Sequence, residues 1–249
     1  MSIKENRNFL KADPAFWSGE SHSEQTKGVP MPPVQKTVPD DAERIQLPDW
    51  QGCLGDQQLP LDQLIKNRKS HRKYFFSALS LEELSFLLWA TQGVREPRHP
   101  ARVWRTVPSA GNRHAFETYL SVRLVAGLAP GIYRYQPLEH TLILIDSPDR
   151  LSERTTEAAM GQGFAGQAAV TFFWTAIPYR MEWRYTEAAG RLILLDAGHV
   201  CQNLYLAAGA IGCGTCAIAA YNQPAADQLL GIDGVDEFVV YMAPVGHIE

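Results

Sequence analysis

The most constraining feature of this chain is an apolar stretch over residues 188–211, long enough for roughly six or seven turns of helix. Apolar side chains occupy nearly its whole circumference, which predicts a helix buried on every side. Its polar members Asp196, His199, Gln202 and Asn203 fall within about a third of the circumference. Such a stripe on a buried helix is typical of hydrogen bonding across an interface. We therefore interpret His199 as an interface residue and not as a catalyst.

The rest of the chain mixes helices with strands. Ser80 and Glu83 have the spacing of a capping box at a helix start, and Gly93 is a stop signal for that helix. The other predicted elements are helices at 61–67 and 151–160, and strands at 118–125, 132–135, 141–145, 168–176 and 239–245. Because helices and strands do not alternate strictly, the pattern predicts an α+β fold.

Residues 1–58 differ from residues 59–249, which form the main predicted domain. Four prolines in the first segment forbid a regular helix there: Pro30, Pro32, Pro33 and Pro39. Its aromatic residues are unusual for a disordered tail: Phe9, Phe16, Trp17 and Trp50. We expect an extended but ordered arm that lies over the body of the protein or over a second subunit.

Charge and hydropathy exclude several classes of function. The 23 Lys+Arg and 27 Asp+Glu give a net charge of -4, which argues against nucleic acid as the main partner. No run of about 18 apolar residues is present, so no membrane span is expected. The first six residues carry an acid and lack the apolar core of a secretory signal, so we expect a cytoplasmic protein.

A basic cluster at residues 68–73 stands out in this acidic chain. It places Arg68, Lys69, Arg72 and Lys73 within six residues. Their mutual repulsion favours a bound anion, and a guanidinium can fork onto two phosphate oxygens. The simpler interpretation is a solvated basic turn at a helix end. Two further segments, at 108–112 and 214–220, favour a phosphorylated cofactor instead.

Cys213 and Cys216 have C-x-x-C spacing, which occurs in redox pairs and in halves of zinc sites. Cys53, Cys201 and His199 supply no matching second pair of ligands, so no metal site is predicted. The run after Cys216 is extended and apolar, whereas a thioredoxin-like pair opens a helix. We favour two small residues beside a cofactor or in the core, with a working dithiol as the alternative.

Four segments together resemble the nitroreductase superfamily, the dimeric enzymes that use flavin mononucleotide (FMN). They are most similar to its azoline-oxidase (SagB-type) branch. The matching segments are residues 68–72 (Arg-x-Ser-x-Arg), 108–111 (Pro-Ser-x-Gly) with 131–135 (Gly-x-Tyr-x-Tyr), 191–208, and 212–221 with 244–246. The resemblance covers roughly residues 59–247. It implies a nitroreductase-like α+β fold, with a central, mainly antiparallel sheet flanked by helices and a long buried helix at a homodimer interface.

The resemblance also implies which residues hold FMN. Arg68 is expected at the phosphate, with Ser70 and Arg72 towards the ribityl chain and the pyrimidine end. Residues 108–112 are expected to reach the flavin bound mainly by the other subunit, and main chain at 217–220 to cover one flavin face with an amide towards N5. The full predicted set is Arg68, Lys69, Ser70, Arg72, Pro108, Ser109, Ala110, Gly111, Asn112, Ala217, Ile218, Ala219, Ala220, Arg191 and Gly246, with Arg180 as an alternative to Arg191.

The predicted catalytic pair is Arg184 and Tyr185. Azoline oxidases carry a Lys-Tyr pair at this place, and an arginine is too basic to act as the base that a lysine can be. The family's Leu-Tyr-Pro after Pro-Ser-x-Gly is also replaced here, by Arg113-His114-Ala115. Both departures favour a substrate other than an azoline.

The implied function is electron transfer from a donor such as NAD(P)H to a small conjugated acceptor, a nitroaromatic or a quinone. One alternative is an azoline-type dehydrogenase in peptide natural-product maturation. Another is a flavin-holding but non-catalytic subunit of a modification complex. Four tryptophans are candidates for the pocket wall, with a core position favoured for each: Trp89, Trp104, Trp174 and Trp183.

Overall fold

A computed structural model of the protein describes residues 3–12, 14, 22–54, 59–99 and 102–248. Phe16 and Trp17 of the predicted arm lie outside these residues. The strands are β1 (Arg44–Gln46), β2 (Val94–His99), β3 (Arg102–Arg105), β4 (Phe116–Val122), β5 (Gly131–Gln136), β6 (Thr141–Asp146), β7 (Val170–Ala176), β8 (Cys213–Thr215) and β9 (Phe238–His247). The α-helices are α1 (Ile3–Phe9), α2 (Leu61–Asn67), α3 (Leu81–Gln92), α4 (Leu151–Ala158), α5 (Gly163–Gln167), α6 (Tyr179–Tyr185), α7 (Ala189–Ala210) and α8 (Gln223–Leu230).

Seven of the strands form one antiparallel sheet in the order β1-β6-β5-β4-β7-β9-β8, and β2 pairs with β3 in a separate hairpin. The predicted α+β class and the mainly antiparallel central sheet are confirmed. The predicted strands at 132–135 and 141–145 pair with each other as β5 and β6.

The central strand β7 explains why helices cover both faces of the sheet. Phe172 and Trp174 lie in one buried cluster, with residues of α3 and α7. Phe173, between them, points to the opposite face and joins a second cluster with α4 and α8. Since side chains alternate along a strand, an apolar run such as this one must be buried from both sides.

The start of α3 follows the capping box expected from the sequence. The Ser80 hydroxyl accepts a hydrogen bond from the Glu83 main-chain N–H at 3.1 Å, and the Glu83 carboxylate accepts one from the Ser80 N–H at 2.7 Å. Two N–H groups that the first turn would leave unsatisfied are therefore paired. This prediction is confirmed, and the arrangement fixes the direction of the Glu83 side chain.

Helix α7 is the predicted central helix, but one of its sides is open. Ile193, Val200 and Leu204 are buried against the sheet, whereas Leu194 and Leu195 are 52% and 53% exposed. The prediction that α7 is buried on every side is therefore wrong for a single chain, because the sheet and the neighbouring helices cover only part of the circumference of α7. The exposed leucines form an apolar strip that a second subunit could cover.

The described part of the N-terminal arm lies on the body of its own chain. Strand β1 pairs with β6 at the edge of the sheet. The buried Arg105 side chain donates to the Val34 carbonyl at 2.7 Å, and Arg134 donates to the Thr37 carbonyl at 2.9 Å. These charge-assisted bonds join residues 34–37 to the β2–β3 hairpin and to strand β5 of the central sheet.

The four tryptophans considered for a pocket wall have different environments. Trp174 is fully buried and Trp183 is 7% exposed, which is the favoured core position. Trp89 stacks on Trp50 at 3.7 Å between ring centres, and Trp104 is 42% exposed. Of the helices in the described residues, none combines the length and apolar character that a bilayer crossing needs.

Candidate functional site

The basic segment 68–76 follows α2 and runs along the β8–β9 edge of the sheet. The His71 N–H donates to the Thr215 carbonyl and the Phe75 N–H to the His247 carbonyl, both at 2.9 Å. These two bonds fix the segment at both ends, while its cations remain free to face solvent or a ligand.

The cations of this segment carry positive charge without a compensating carboxylate. Arg68, Lys69, Arg72 and Lys73 are all exposed. Within the described part of the chain, none of them forms an ion pair. Arg68 and Lys69 border a cavity of about 290 Å³, whose other walls include Gly212 and Gly214. A cluster of like charges with no acidic partner is suited to a multivalent anion such as a phosphate.

Tyr205 on α7 connects the basic segment to the predicted flavin-facing main chain. Its hydroxyl lies 2.9 Å from the Ser70 hydroxyl and accepts a hydrogen bond from the Ala217 N–H at 2.8 Å. The Arg68 guanidinium lies 5.3 Å from the centre of its ring, within cation–π range. Sequence reasoning missed this residue because one tyrosine on a long apolar helix resembles a core position.

The main chain that follows Ala217, the residue bonded to Tyr205, is exposed and partly unpaired. Ala219 and Ala220 are exposed, and the Ile218 N–H is bonded to the Met242 carbonyl at 2.8 Å. Among the described residues no acceptor pairs with the N–H of Ala219 or of Ala220. Unpaired main-chain donors at small residues leave room for a flat ligand and supply hydrogen bonds to it.

Gly246 allows the basic segment to approach the sheet closely. A Cβ atom there would lie 2.9 Å from the Tyr74 Cβ, which is closer than two carbon atoms approach without displacement. The Tyr74 hydroxyl donates to the His71 carbonyl at 2.7 Å and so stabilises the same segment. The structural reason for Gly246 is therefore this packing, and a direct contact with a cofactor stays a prediction.

The second predicted segment, 108–112, contacts the other half of α7. The Ala110 N–H lies 3.2 Å from an Asp196 carboxylate oxygen, and the Ser109 hydroxyl accepts from the His114 N–H at 2.9 Å. Burial raises the pKa of Asp196, although its hydrogen bonds with Ser109 and Ala110 act in the opposite direction. Asp196 thus belongs to the polar stripe and positions the Pro-Ser-Ala-Gly segment.

The predicted catalytic pair is packed against this same segment. A Cβ atom on Gly111 would lie 2.6 Å from the Tyr185 hydroxyl and 3.0 Å from Arg184 Cδ. The Arg184 guanidinium lies over the Tyr185 ring at 5.2 Å. The structure therefore brings Gly111, Arg184 and Tyr185 together, while a catalytic role for Arg184 and Tyr185 stays a prediction.

The backbone around this group is strained. Positive φ angles occur at Asn112 (59°), His114 (47°) and Thr186 (46°), and the β-branched Thr186 is the one of the three that rarely adopts such a conformation. Such outliers cluster at binding and catalytic sites. His114 itself is buried, and burial together with the nearby Arg105 lowers its pKa to about 2. The imidazole is therefore neutral at working pH and cannot act as a general acid there.

Gly111→Ala should disturb this group more than the same change at an open turn. Gly111 has φ of 54° and faces Tyr185, whereas Gly127 has φ of 82° and nothing within 4 Å of an added Cβ. Both changes impose the left-handed backbone cost of roughly 1 kcal/mol. We expect Gly111→Ala to lower the free energy of unfolding by at least about 1 kcal/mol more than Gly127→Ala. Equal losses in urea unfolding would show that the contact with Tyr185 is not tight.

One chain does not bring the two predicted cofactor segments together. Nine residues separate Asp196, which contacts Ala110, from Tyr205, which contacts Ser70, so about 14 Å of helix axis lies between the two contacts. Arg191 is fourteen residues from Tyr205, or about 21 Å along the axis. The predicted contact of Arg191 with the cofactor therefore stays a prediction. At the Arg68 site of one subunit, only the Arg191 of a second subunit could make it.

Arg180 does not fit the role of an alternative phosphate ligand. Its guanidinium and the Glu117 carboxylate form an ion pair with side chains only 4% and 2% exposed. A guanidinium that is neutralised inside the protein is unavailable to a ligand at the surface. This interpretation of the sequence is wrong, because the fold uses Arg180 beneath the arm.

A larger cavity, of about 820 Å³, lies between α6, α7 and the start of β9. Its walls are mainly apolar and include Phe9 of α1 and the half-exposed Leu194. None of the predicted site residues lines it. Charge and hydrogen-bonding donors are concentrated elsewhere, so we place the candidate site at the basic segment and at residues 217–220.

Comparisons with known proteins identify the family of the chain. The family model described as "Nitroreductase family" matches residues 65–247. The chain is 32% identical over 206 residues to the candidate nitroreductase MJ1384 of Methanocaldococcus jannaschii, covering 83% of this chain and 97% of that protein. The region matched by the family model includes every predicted site residue and begins after the N-terminal arm.

Solved structures share the fold. A candidate nitroreductase from Anabaena variabilis has a TM-score of 0.71 at 25% identity over 86% of this chain, which spans only 43% of that longer chain. A chain of the Escherichia coli microcin synthetase McbBCD complex with truncated pro-MccB17 gives 0.62 at 17% identity, covering 100% of this chain and 98% of that one. The Vibrio harveyi NADPH:FMN oxidoreductase complexed with NAD+ gives 0.52 at 16% identity, over 76% of this chain and 68% of that one. The last two likenesses, at these identities, show the fold alone.

Proposed function

We propose, because the chain belongs to the nitroreductase family, that this oxidoreductase holds FMN and works as a homodimer. It would pass electrons from NAD(P)H to a small conjugated acceptor such as a nitroaromatic or a quinone. The observation that carries the proposal is the site itself: exposed cations without carboxylate partners lie next to open main-chain amides, and Tyr205 links the two. The name of the Vibrio harveyi neighbour, an NADPH:FMN oxidoreductase, supports the choice of cofactor and donor.

The residues present fit FMN. Arg68 and Lys69 offer charge for a phosphate, and Ser70 offers a hydroxyl for the ribityl chain. Ala219 and Ala220 present N–H groups whose hydrogen bonds no described residue accepts, and their small side chains leave space for a ring system. We assign Ala217 and Ile218 a supporting role, because their own N–H groups are bonded within the protein.

When bound, FMN supplies the reversible acceptance of hydride, and the chain supplies orientation and charge. Arg72, which is exposed and lies 5.9 Å from the Phe164 ring centre, would place a fixed positive charge where the reduced cofactor is most negative. Tyr185 could pass a proton, whereas the Arg184 guanidinium stays charged and serves as a fixed cation. Water can deliver the remaining protons, so no buried acid is required.

An absorbance spectrum of the purified protein tests the proposal. We expect flavin absorption that bleaches after anaerobic addition of NADH or NADPH and returns on addition of a nitroaromatic or a quinone. A colourless protein that takes up no added FMN would contradict the cofactor assignment. A yellow protein that neither donors reduce nor acceptors reoxidise would favour the non-catalytic subunit instead.

Azoline oxidation is the second candidate, and the likeness to the microcin synthetase chain over the whole length of this chain favours it. It predicts oxygen-driven oxidation of a peptide-borne ring and little use of NAD(P)H. Arg184 in place of the lysine argues against it, since the pair would lack a base. Incubation with an azoline peptide in air, followed by mass spectrometry for a loss of two hydrogens, separates the two functions.

Tyr205→Phe should weaken FMN binding without unfolding the protein. The change removes the hydroxyl that holds Ser70 and the Ala217 N–H in place. Loss of these two bonds, at roughly 0.5–1.5 kcal/mol each, should raise the Kd for FMN about 5- to 140-fold. Tyr133→Phe is the matched control, because its hydroxyl donates to the Ala129 carbonyl at the same 2.8 Å away from the site. An unchanged Kd in fluorescence titration would remove Tyr205 from the site.

Leu195→Arg should convert the dimer to monomer and reduce flavin retention together. Leu195 is 53% exposed on α7, and the two cofactor segments meet only if a second subunit supplies one of them. Light scattering should give twice 27.8 kDa for the unaltered protein and 27.8 kDa for the variant. Leu138→Arg, at a leucine 42% exposed on another surface, should leave the mass unchanged. A monomeric unaltered protein would contradict the homodimer.

A further inference from the structure

Three side chains that can bind metal converge at the edge of the sheet. Glu83, Cys213 and His247 each offer one ligand atom, and these atoms all lie within 4.8 Å of one another. Glu83 comes from the first turn of α3, Cys213 from β8 and His247 from β9. Cys213 and His247 are direct partners in the β8–β9 register, so their side chains lie on the same face of the sheet.

We propose that Glu83, Cys213 and His247 form a zinc site. One thiolate, one imidazole and one carboxylate make a set that suits Zn²⁺, a borderline-soft ion that accepts sulfur, nitrogen and oxygen ligands. Three protein ligands leave the fourth tetrahedral position for water. No fourth histidine, cysteine or acid joins the cluster within the described residues.

The geometry requires only a small adjustment. Zinc–ligand bonds of about 2.0–2.3 Å place tetrahedral ligands roughly 3.3–3.8 Å apart. The Glu83 Oε1 to His247 Nε2 distance is 3.0 Å and all three ligand atoms lie within 4.8 Å of one another, so an ion requires changes of up to about 1 Å in these separations. Both side chains are about one-fifth exposed and can turn to admit an ion, while the buried Cys213 stays in place.

The surrounding contacts hold the ligands in position. The second carboxylate oxygen of Glu83 accepts from the Ser80 N–H at 2.7 Å, so the capping box directs Oε1 towards His247. The main chain of His247 accepts from the Phe75 N–H at 2.9 Å. Hydrogen bonds that orient ligands in this way are a regular part of metal sites.

The simpler explanation is an ion pair of Glu83 with His247 beside an inert thiol. Burial raises the pKa of Cys213, and the Glu83 carboxylate raises it further, so the thiol is protonated when no cation is present. A cation reverses this preference, because a bound metal deprotonates its thiol ligand. The two explanations differ in whether the three side chains act as one binding unit.

A zinc ion here would join the start of α3 to the β8–β9 edge. Strand β8 leads directly into residues 217–220, the main chain assigned above to the cofactor. The role is structural: it would limit the movement of that edge, and the zinc assignment does not depend on the proposed function.

Metal titration of the full-length, chelator-treated protein tests the site. Zn²⁺ is added in competition with a chromophoric chelator, and Co²⁺ is added separately while difference absorbance is recorded, so that any flavin absorption cancels. We expect one equivalent of Zn²⁺ and a thiolate-to-cobalt charge-transfer band in the near ultraviolet. Glu83→Gln, Cys213→Ser and His247→Gln should each weaken Zn²⁺ binding more than about tenfold. Glu83→Gln keeps the capping box, since glutamine serves at that position.

Two controls keep the result specific. Cys53→Ser changes a thiol that interacts electrostatically with the Glu83 carboxylate but lies outside the cluster. This variant should leave Zn²⁺ binding unchanged. His199→Ala removes an exposed histidine and tests for surface binding. Absence of a cobalt–thiolate band in the unaltered protein would overturn the proposal without recourse to any variant. Equal Zn²⁺ binding in the three ligand variants and the unaltered protein would also overturn it.

Discussion

Arg68→Ala and Arg72→Ala should each raise the Kd for FMN by roughly ten- to a hundredfold. Each change removes a charge-assisted contact of roughly 1.5–3 kcal/mol. Both side chains are exposed and form no ion pair with a described residue, so their loss leaves no buried partner unsatisfied. The effect should therefore be confined to the cofactor. The measurement is the fraction of flavin retained after dilution and filtration, together with the Kd from fluorescence.

Two further variants make this result specific. Arg68→Lys keeps the charge but loses the planar guanidinium that binds two oxygens at once. This variant should retain FMN better than Arg68→Ala and less well than the unaltered protein. Arg150→Ala removes the same charge from an exposed residue with a side chain 78% accessible, and it should retain FMN fully. Full flavin occupancy in both Arg68→Ala and Arg72→Ala would show that the phosphate lies elsewhere.

Glu117→Gln should lower the free energy of unfolding by about 3–5 kcal/mol. Glu117 is 2% exposed, pairs with Arg180 and accepts the Lys36 N–H at 2.8 Å. Glutamine has nearly the same shape but no charge, so Arg180 would remain as an uncompensated buried cation. Since domains are stable by about 5–15 kcal/mol in total, this is a large fraction of the stability. Urea unfolding followed by circular dichroism gives the value.

Glu153→Gln is the matched control for that loss. Glu153 pairs with Arg150 at 3.8 Å, but both side chains are more than 60% exposed. Surface pairs of this kind contribute little, so the change should stay within about 0.5 kcal/mol. Similar losses at Glu117 and Glu153 would mean that the buried pair is not a principal support of the arm. A double change, Glu117→Leu with Arg180→Met, should recover part of the stability.

The parts of the fold that were predictable are those with a strong local pattern. The capping box at Ser80 and the apolar run of α7 identified two helices, since caps and periodicity are local properties. Strands β4, β5, β6, β7 and β9 are rich in apolar or aromatic residues, and each overlaps a predicted strand. The family resemblance placed the basic segment and residues 217–220 near one another, and Tyr205 provides the contact between them.

The parts that were missed depend on distant partners. Strand β1 is only three residues long, two of them polar, and it exists because β6 offers an edge. Glu83, Cys213 and His247 are 130 and 34 residues apart, so no spacing rule could join them. Helix α8 had a readable signal, an Asn222 cap followed by Pro224, that sequence reasoning did not use.

The contacts of the N-terminal arm with strands β3 and β5 have an evolutionary consequence. Arg105 and Arg134 donate to carbonyl groups at Val34 and Thr37, upstream of the region matched by the family model. A relative that lacks this upstream sequence would leave each of these buried cations without one of its acceptors, at the cost of burying an unpaired donor. Across the family, arginines at these two places and the sequence upstream of α2 should therefore be inherited or lost as one trait.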